Sequence, residues 1–142
     1  MKPLFMPLFD PTMDKMAEAS AKEYLKARGC PQFVWEGGGQ GLIKSWGDFV
    51  TEVEQGYCPD CSMDEYWNDL SIRELIHAIG WDADARQADE RFASLLTATT
   101  VKHCHTDRKS DYDFWNYGYP KNATGFFLQE VLRWCGKPDD KA

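Results

Sequence analysis

The chain has 142 residues, of which 43% are hydrophobic and 14% aromatic, and its formal net charge is −7 at pH 7. This composition excludes a disordered chain and predicts a single globular domain over residues 1–142. The acidic excess argues against direct binding to nucleic acid, because contacts with phosphates require basic side chains.

The sequence also argues against a membrane protein. No stretch approaches the roughly 18–20 consecutive apolar residues that a membrane span needs. The apolar N-terminal segment is interrupted by Pro3 and Pro7 and lacks the features of a secretion signal. Five cysteines, an odd number, fit poorly with a complete disulfide framework. We therefore expect a cytoplasmic protein.

The first predicted helix begins at Pro11, behind Asp10 as its N-cap, and runs to about Arg28, where Gly29 ends it. Residues 31–41 are then expected to form a connector. Within it, the Phe-Val-Trp sequence at 33–35 favours a short strand, and the three glycines at 37–39 favour a flexible turn.

The clearest helix spans residues 42–55, because its apolar side chains recur at helical spacing, and Gly56 ends it. Capping boxes at 62–65 and 71–74 then predict either two short helices that meet near Ser71 or one helix kinked there. Gly80 ends this segment.

Asp82 or Asp84 is the predicted cap of the next helix, which runs to about Ala98. Asn122 is the predicted cap of a final helix over residues 123–135, and residues 137–142 are expected to fray. Together these elements predict an all-α, compact single-domain bundle of five to six helices, with at most a minor short strand pair.

A block of negative charge occupies the middle of the chain. Twelve acidic side chains lie between Asp48 and Glu90, against two basic ones, Arg73 and Arg86, so the block carries a net charge of −10. A field of one sign steers encounters with oppositely charged surfaces. The pattern therefore predicts a basic partner, and Asp64, Glu65 and Asp69 are candidate binding residues.

A second candidate surface is the aromatic segment 112–120, which holds five aromatic residues among nine. Tyrosine and tryptophan anchor many interfaces because they bury a large area at low entropic cost. The alternative is that these rings cover the end of the core. The candidate binding residues of this segment are Asp111, Asp113, Trp115, Tyr117 and Tyr119.

The cysteines offer a metal site. Cys58 and Cys61 form a CxxC pair that can bind one tetrahedral zinc ion. If residues 103–105 are extended, His103 and His105 point to the same side and complete a Cys2His2 set. If that segment is helical, the two rings diverge and the site fails. The alternatives are half-buried thiols with a solvated histidine pair, or a redox pair whose thiol pKa is lowered by the following helix.

Other motifs are weaker. The glycines at 37–41 precede a helix, as in a phosphate cradle, but they match no nucleotide-binding fingerprint. The pairs Asp82/Asp84 and Asp111/Asp113 do not fit a calcium loop. His77 is expected to be an ordinary partly buried histidine. No convincing catalytic constellation emerges.

In size, acidity and lack of a catalytic signature, the chain is similar to small bacterial immunity proteins, antitoxins and phage-encoded inhibitors. The similarity rests on composition and on no motif. It implies a non-catalytic protein that neutralises a basic protein partner, such as a nuclease toxin, or that mimics nucleic acid. The alternatives are a zinc-stabilised adaptor that uses the CxxC and HxH residues, and a small enzyme dependent on cysteines or carboxylates. Apart from zinc, no cofactor is expected.

Overall fold

The computed structural model describes residues 15–97 and 119–135. Its helices are α1 (Glu18–Ala27), α2 (Gln32–Glu54), α3 (Met63–Ala78), α4 (Asp82–Leu95) and α5 (Gly125–Cys135). The predicted all-α helical bundle is therefore confirmed. Within the described ranges, β pairing is limited to an isolated antiparallel bridge between Leu96 and Pro120.

Helix α1 ends as predicted but begins later. Gly29 has a φ of 95° and follows the C-cap residue Arg28. The predicted helix does not continue through residues 15–17, because Ala17 is extended with a ψ of 157° and α1 begins at Glu18. The backbone of Met16 is bonded elsewhere: its N–H donates to Ile79 O at 3.0 Å, and its carbonyl accepts from Trp81 Nε1 at 2.8 Å. These bonds tie the chain to the corner between α3 and α4.

Helix α2 replaces the predicted connector and strand at its N-terminal end. The N–H groups of Val34 and Trp35 both donate to Pro31 O, at 2.9 and 3.1 Å, so helical bonding starts directly after the proline. Val34 and Trp35 pack against the core, whereas Phe33 is 79% exposed. The β-propensity of this short apolar run is outweighed by packing on a helical face.

A kink at Gly38 divides α2. Gly38 adopts φ 63° and ψ −155°, a conformation that strongly favours glycine. The part of α2 after the kink begins with N–H groups that have no helical partner. The carboxylate of Glu18 is the partner of two of these groups, because it accepts from Gly39 N at 2.6 Å and from Gln40 N at 3.0 Å. The expected flexible turn is thus a fixed kink, capped by a side chain of α1.

Helix α3 is one continuous helix. Its N-cap is Ser62, as predicted, and the Ser62 side chain accepts from Glu65 N at 3.2 Å. The predicted break or kink at Ser71 is wrong: the helix continues there, and the Ser71 hydroxyl donates to Asn68 O at 2.6 Å. Gly80, with a φ of 78°, follows the C-cap residue Ile79 and ends the helix as predicted.

Two predicted helix caps are wrong. The N-cap of α4 is Trp81, which makes no side-chain cap bond, and Asp82 is the first helical residue. The helix ends at Leu95, before the predicted Ala98, because Leu96 is extended and pairs with Pro120.

The second error concerns α5, which begins at Gly125 and not after Asn122. The Asn122 side chain instead donates to Val53 O at 2.9 Å, near the end of α2. It thus satisfies a carbonyl at a helix C-terminus.

The core forms around α2. Trp46 and Phe49 stack with ring centroids 5.4 Å apart, and both contact Phe92 of α4. Tyr66 of α3 and Phe127 of α5 extend the aromatic cluster, with centroids 5.0 Å apart. In the described ranges, no helix is both long enough and apolar enough to cross a membrane.

Candidate functional site

An open cleft of about 540 Å³ lies between the C-terminal end of α2 and the first half of α3. We call it the acidic cleft. Four of the residues that line it carry carboxylates, and none of the described lining residues is basic. The lining residues are Glu52, Tyr57, Cys61, Asp64, Glu65, Asn68 and Asp69.

Helical spacing places most of these groups. Glu65 and Asp69 are four residues apart on α3, so they share one face of the helix. Cys61 precedes Glu65 by the same interval, and the cap at Ser62 fixes where the helix starts. Glu52 comes from the last turns of α2 and also lines the cleft.

Asp69 is the half-buried carboxylate of the acidic cleft. Burial raises the pKa of Asp69 above its ordinary value of 3.8. A hydrogen bond from the Tyr57 hydroxyl, 2.7 Å away, lowers this pKa, while the negative charge of Glu65 raises it. A half-buried carboxylate beside a second one is destabilised by both burial and repulsion, and a bound cation relieves the repulsion.

The thiol that lines the acidic cleft has a perturbed pKa. Burial, followed by side-chain interactions with Cys58 and Glu65, raises the pKa of Cys61 far above that of an ordinary thiol. This is opposite to the lowered pKa that a fast redox pair needs. Cys30, Cys58 and Cys61 are all free thiols.

Part of the acidic block is internal. Arg73 is fully buried, and its guanidinium group contacts two acids of the block: Nη1 lies 2.9 Å from Asp82 and Nε lies 2.7 Å from Asp89. Trp46 Nε1 adds a hydrogen bond to Asp89 at 2.9 Å. Burial raises the pKa of Asp89, and the bonds from Arg73 and Trp46 offset this only in part.

His77 borders this buried network. Its Nδ1 lies 3.0 Å from Asp82 Oδ2, and its side chain is 39% exposed, which matches the expectation of a partly buried histidine. Burial acts to raise the pKa of Asp82, but the hydrogen bond with His77 and the charge of Arg73 outweigh it, so this pKa is lowered. Asp82 therefore has a structural role in the core, and it is the first residue of α4 and not its N-cap.

Other acids of the block are paired at the surface. Lys44 lies 2.8 Å from Asp48, and Arg91 lies 2.6 Å from Glu54. Lys15 pairs with Asp84 at 3.1 Å, beside a second cleft of about 340 Å³ that has mixed charge. The block is thus not one uniform face: four of its carboxylates gather in the acidic cleft, while others are neutralised elsewhere.

Sequence reasoning identified Asp64, Glu65 and Asp69, and the structure brings these three together. It missed Glu52 and Tyr57, because they come from a different helix and from a connecting segment. The signal for α3 was available, since acids four residues apart follow a capping residue. No local pattern could reveal that the end of α2 faces them.

Tyr119 is the described part of the aromatic segment. It is 4% exposed, and its carbonyl accepts from Thr97 N at 2.8 Å, so for this residue the core alternative holds and the interface prediction is wrong. The remaining candidates lie outside the described residues. They are His103, His105, Asp111, Asp113, Trp115 and Tyr117. Residues 137–142, which are expected to fray, also lie outside the described ranges.

Two ligand predictions depend on particular side chains. Within residues 15–97 and 119–135, no three histidine, cysteine or acidic side chains are arranged to hold a metal ion. The zinc hypothesis also needs His103 and His105, so it stays a prediction. The proposed phosphate cradle at 37–41 is filled by the carboxylate of Glu18, which bonds the N–H groups of Gly39 and Gln40.

No protein-family model, curated protein sequence or solved structure matches this chain.

Proposed function

We propose that this protein is a non-catalytic binding protein whose acidic cleft receives basic side chains of a protein partner. The observation that carries the proposal is the gathering of Glu52, Asp64, Glu65 and Asp69 around one open cleft whose described lining has no basic residue. An arginine or lysine of a partner would form charge-assisted hydrogen bonds there and reduce the repulsion between Glu65 and Asp69.

Charge also favours fast association. A cleft of one sign concentrates the field and raises the rate at which basic ligands arrive. Asp64 and Glu65 are exposed in the first turn of α3, whereas Asp69 is half-buried. We assign Asp64 and Glu65 mainly to steering and Asp69 to holding the bound cation.

An exposed aromatic side chain lies near the same region. Phe126 is 46% exposed at the start of α5. The next residue, Phe127, donates its N–H to Pro59 O at 2.9 Å, which places this turn of α5 against the segment that leads to Cys61. An aromatic anchor beside a charged cleft is a common arrangement at the centre of an interface.

The proposed partner is a basic protein, such as a toxin or a nucleic-acid-binding protein that this chain would neutralise or inhibit. The raised pKa of Cys61 argues against a fast catalytic thiol at this position, because the thiolate is the reactive form. The proposal thus favours a protein that blocks its partner over a small cysteine-dependent enzyme.

NMR mapping tests the location of binding. The ¹⁵N-labelled protein is titrated with a peptide rich in arginine and lysine, and an acidic peptide of equal length is the control. We expect amide shifts centred on Asp64, Glu65 and Asp69 that decrease as salt is added. Shifts spread evenly over the surface, or centred on the mixed-charge cleft at Lys44 and Trp81, would contradict the proposal.

A further inference from the structure

The Cys58-Pro59-Asp60-Cys61 segment closes a tight turn at the edge of the acidic cleft. The N–H of Cys61 donates to Cys58 O at 3.3 Å, so the two ends of the turn face each other. The Cys58 and Cys61 side chains interact directly, and both thiols are free and partly exposed. The turn is held in place from outside as well, since Phe127 N donates to Pro59 O at 2.9 Å.

From this geometry we infer that Cys58 and Cys61 are a thiol modification site that forms a reversible intramolecular disulfide by exchange with a small-molecule disulfide such as oxidised glutathione. The inference concerns the thiols themselves and holds whether or not the acidic cleft binds a basic partner.

The exchange takes place in two balanced steps. The thiolate of Cys58 attacks one sulfur of oxidised glutathione, which forms a mixed disulfide and releases one glutathione thiolate. The thiolate of Cys61 then attacks the Cys58 sulfur and releases the second glutathione. The two thiol protons pass to the two released glutathione molecules, so the protein loses two electrons and oxidised glutathione gains them.

The order of the steps follows from the surroundings of Cys61. Cys61 lines the acidic cleft, whose carboxylates repel the negatively charged oxidised glutathione, whereas Cys58 is not among the lining residues. In the second step the Cys58 sulfur is already held beside Cys61, so proximity favours the attack.

The position of the pair gives the modification a consequence. Cys61 lines the acidic cleft and contacts Glu65. Oxidation removes the thiol proton, so the Cys61 sulfur can no longer donate a hydrogen bond to the Glu65 carboxylate. The oxidised and reduced proteins should therefore differ at this edge of the cleft.

Peptide mapping tests the inference on the full chain. A single tryptic peptide, residues 45–73, contains Cys58 and Cys61 and no other cysteine. The folded protein is incubated with oxidised glutathione, its remaining thiols are alkylated, and the digest is analysed by mass spectrometry. We expect this peptide to lose two hydrogen atoms, to carry neither an alkyl group nor glutathione, and to return to the dithiol form with dithiothreitol.

The variants separate the two sulfurs. In Cys61→Ser, the mixed disulfide cannot be resolved, so glutathione should stay on Cys58. Cys30→Ser is the matched control and should behave as wild type. A wild-type peptide that stays fully alkylated, keeps glutathione or is linked to another peptide would overturn the inference. The wild-type result decides even if a variant fails to fold.

Discussion

The guanidinium group of Arg73 forms two parallel hydrogen bonds with the carboxylate of Asp89, from Nε to Oδ1 at 2.7 Å and from Nη2 to Oδ2 at 2.8 Å. Arg73 is fully buried, and its third bond, from Nη1, reaches Asp82 at 2.9 Å. The pair joins α3 to α4 inside the core. It also means that two acids of the negative block have an internal, structural role.

Removal of the buried arginine should be strongly destabilising. Arg73→Met leaves two buried carboxylates without their cation, and breaking a buried pair in this way typically costs about 3–5 kcal/mol. Chemical denaturation of the variant should show this loss in the free energy of unfolding.

The matched control is Arg91→Met, which removes an exposed arginine that forms a similar bidentate pair with Glu54. Exposed ion pairs are screened by solvent, so this change should cost far less. Equal losses for the two variants would show that the buried network does not hold α3 and α4 together.

The close approach of Gly39 to Trp81 gives a second prediction. A Cβ atom at Gly39 would lie 2.5 Å from the Trp81 ring, so Gly39→Ala should push α2 away from Trp81 at the start of α4. Overpacking of this kind typically costs about 1–3 kcal/mol, measurable as a lower midpoint of denaturation.

Gly47→Ala serves as its control in the same helix. A Cβ atom at Gly47 meets nothing within 4 Å. This substitution should leave stability unchanged or raise it by up to about 1 kcal/mol, because alanine favours a helix more than glycine does. A similar response of both variants would indicate that Trp81 does not pack on Gly39.

How far the sequence predicts this structure depends on how local the cause is. The apolar stripe from Leu42 to Val53 and the cap at Ser62 were correctly predicted, because both patterns are set by neighbours within a few turns. Residues 33–35 were predicted as a strand, since β-propensity does not include the helical surface on which Val34 and Trp35 pack.

The candidate site divides in the same way. Glu65 and Asp69 could be grouped from their spacing, but Glu52 and Tyr57 join them only through the packing of α2 on α3. Asp82 and Asp89 were counted as surface charge because nothing in the local sequence connects them with Arg73, which is 9 and 16 residues away.

The ionised carboxylate of Asp69 should destabilise the folded protein at neutral pH. Its folded-state pKa is raised above 3.8, chiefly by burial, so ionisation destabilises the folded protein. That penalty is fully present above the raised pKa and disappears as the pH falls to the ordinary value. Asp69→Asn, which can still accept the Tyr57 hydrogen bond, should be more stable than wild type at pH 7 and lose this advantage in acid.

Unfolding curves measured at several pH values check this behaviour. Asp60→Asn is the control, since Asp60 is exposed and is not among the residues that line the acidic cleft. Its effect should stay within about 0.5 kcal/mol at every pH, as is usual for surface changes. A loss of stability in Asp69→Asn at pH 7 would show that the ionised carboxylate contributes to folding and is not held at a cost.

The most direct test of the central claim compares two charge reversals that change the net charge equally. Asp64→Lys/Glu65→Lys alters the acidic cleft, whereas Glu23→Lys/Glu90→Lys alters exposed acids away from it. Association rates with an arginine- and lysine-rich peptide are measured by stopped flow at low ionic strength and at 0.15 M, where the screening length is about 8 Å. The account predicts at least a tenfold slower association for the cleft variant at low salt, which corresponds to about 1.4 kcal/mol in the activation free energy. It predicts a much smaller change for the control. Equal slowing of both variants would contradict it, because binding would then depend on net charge alone.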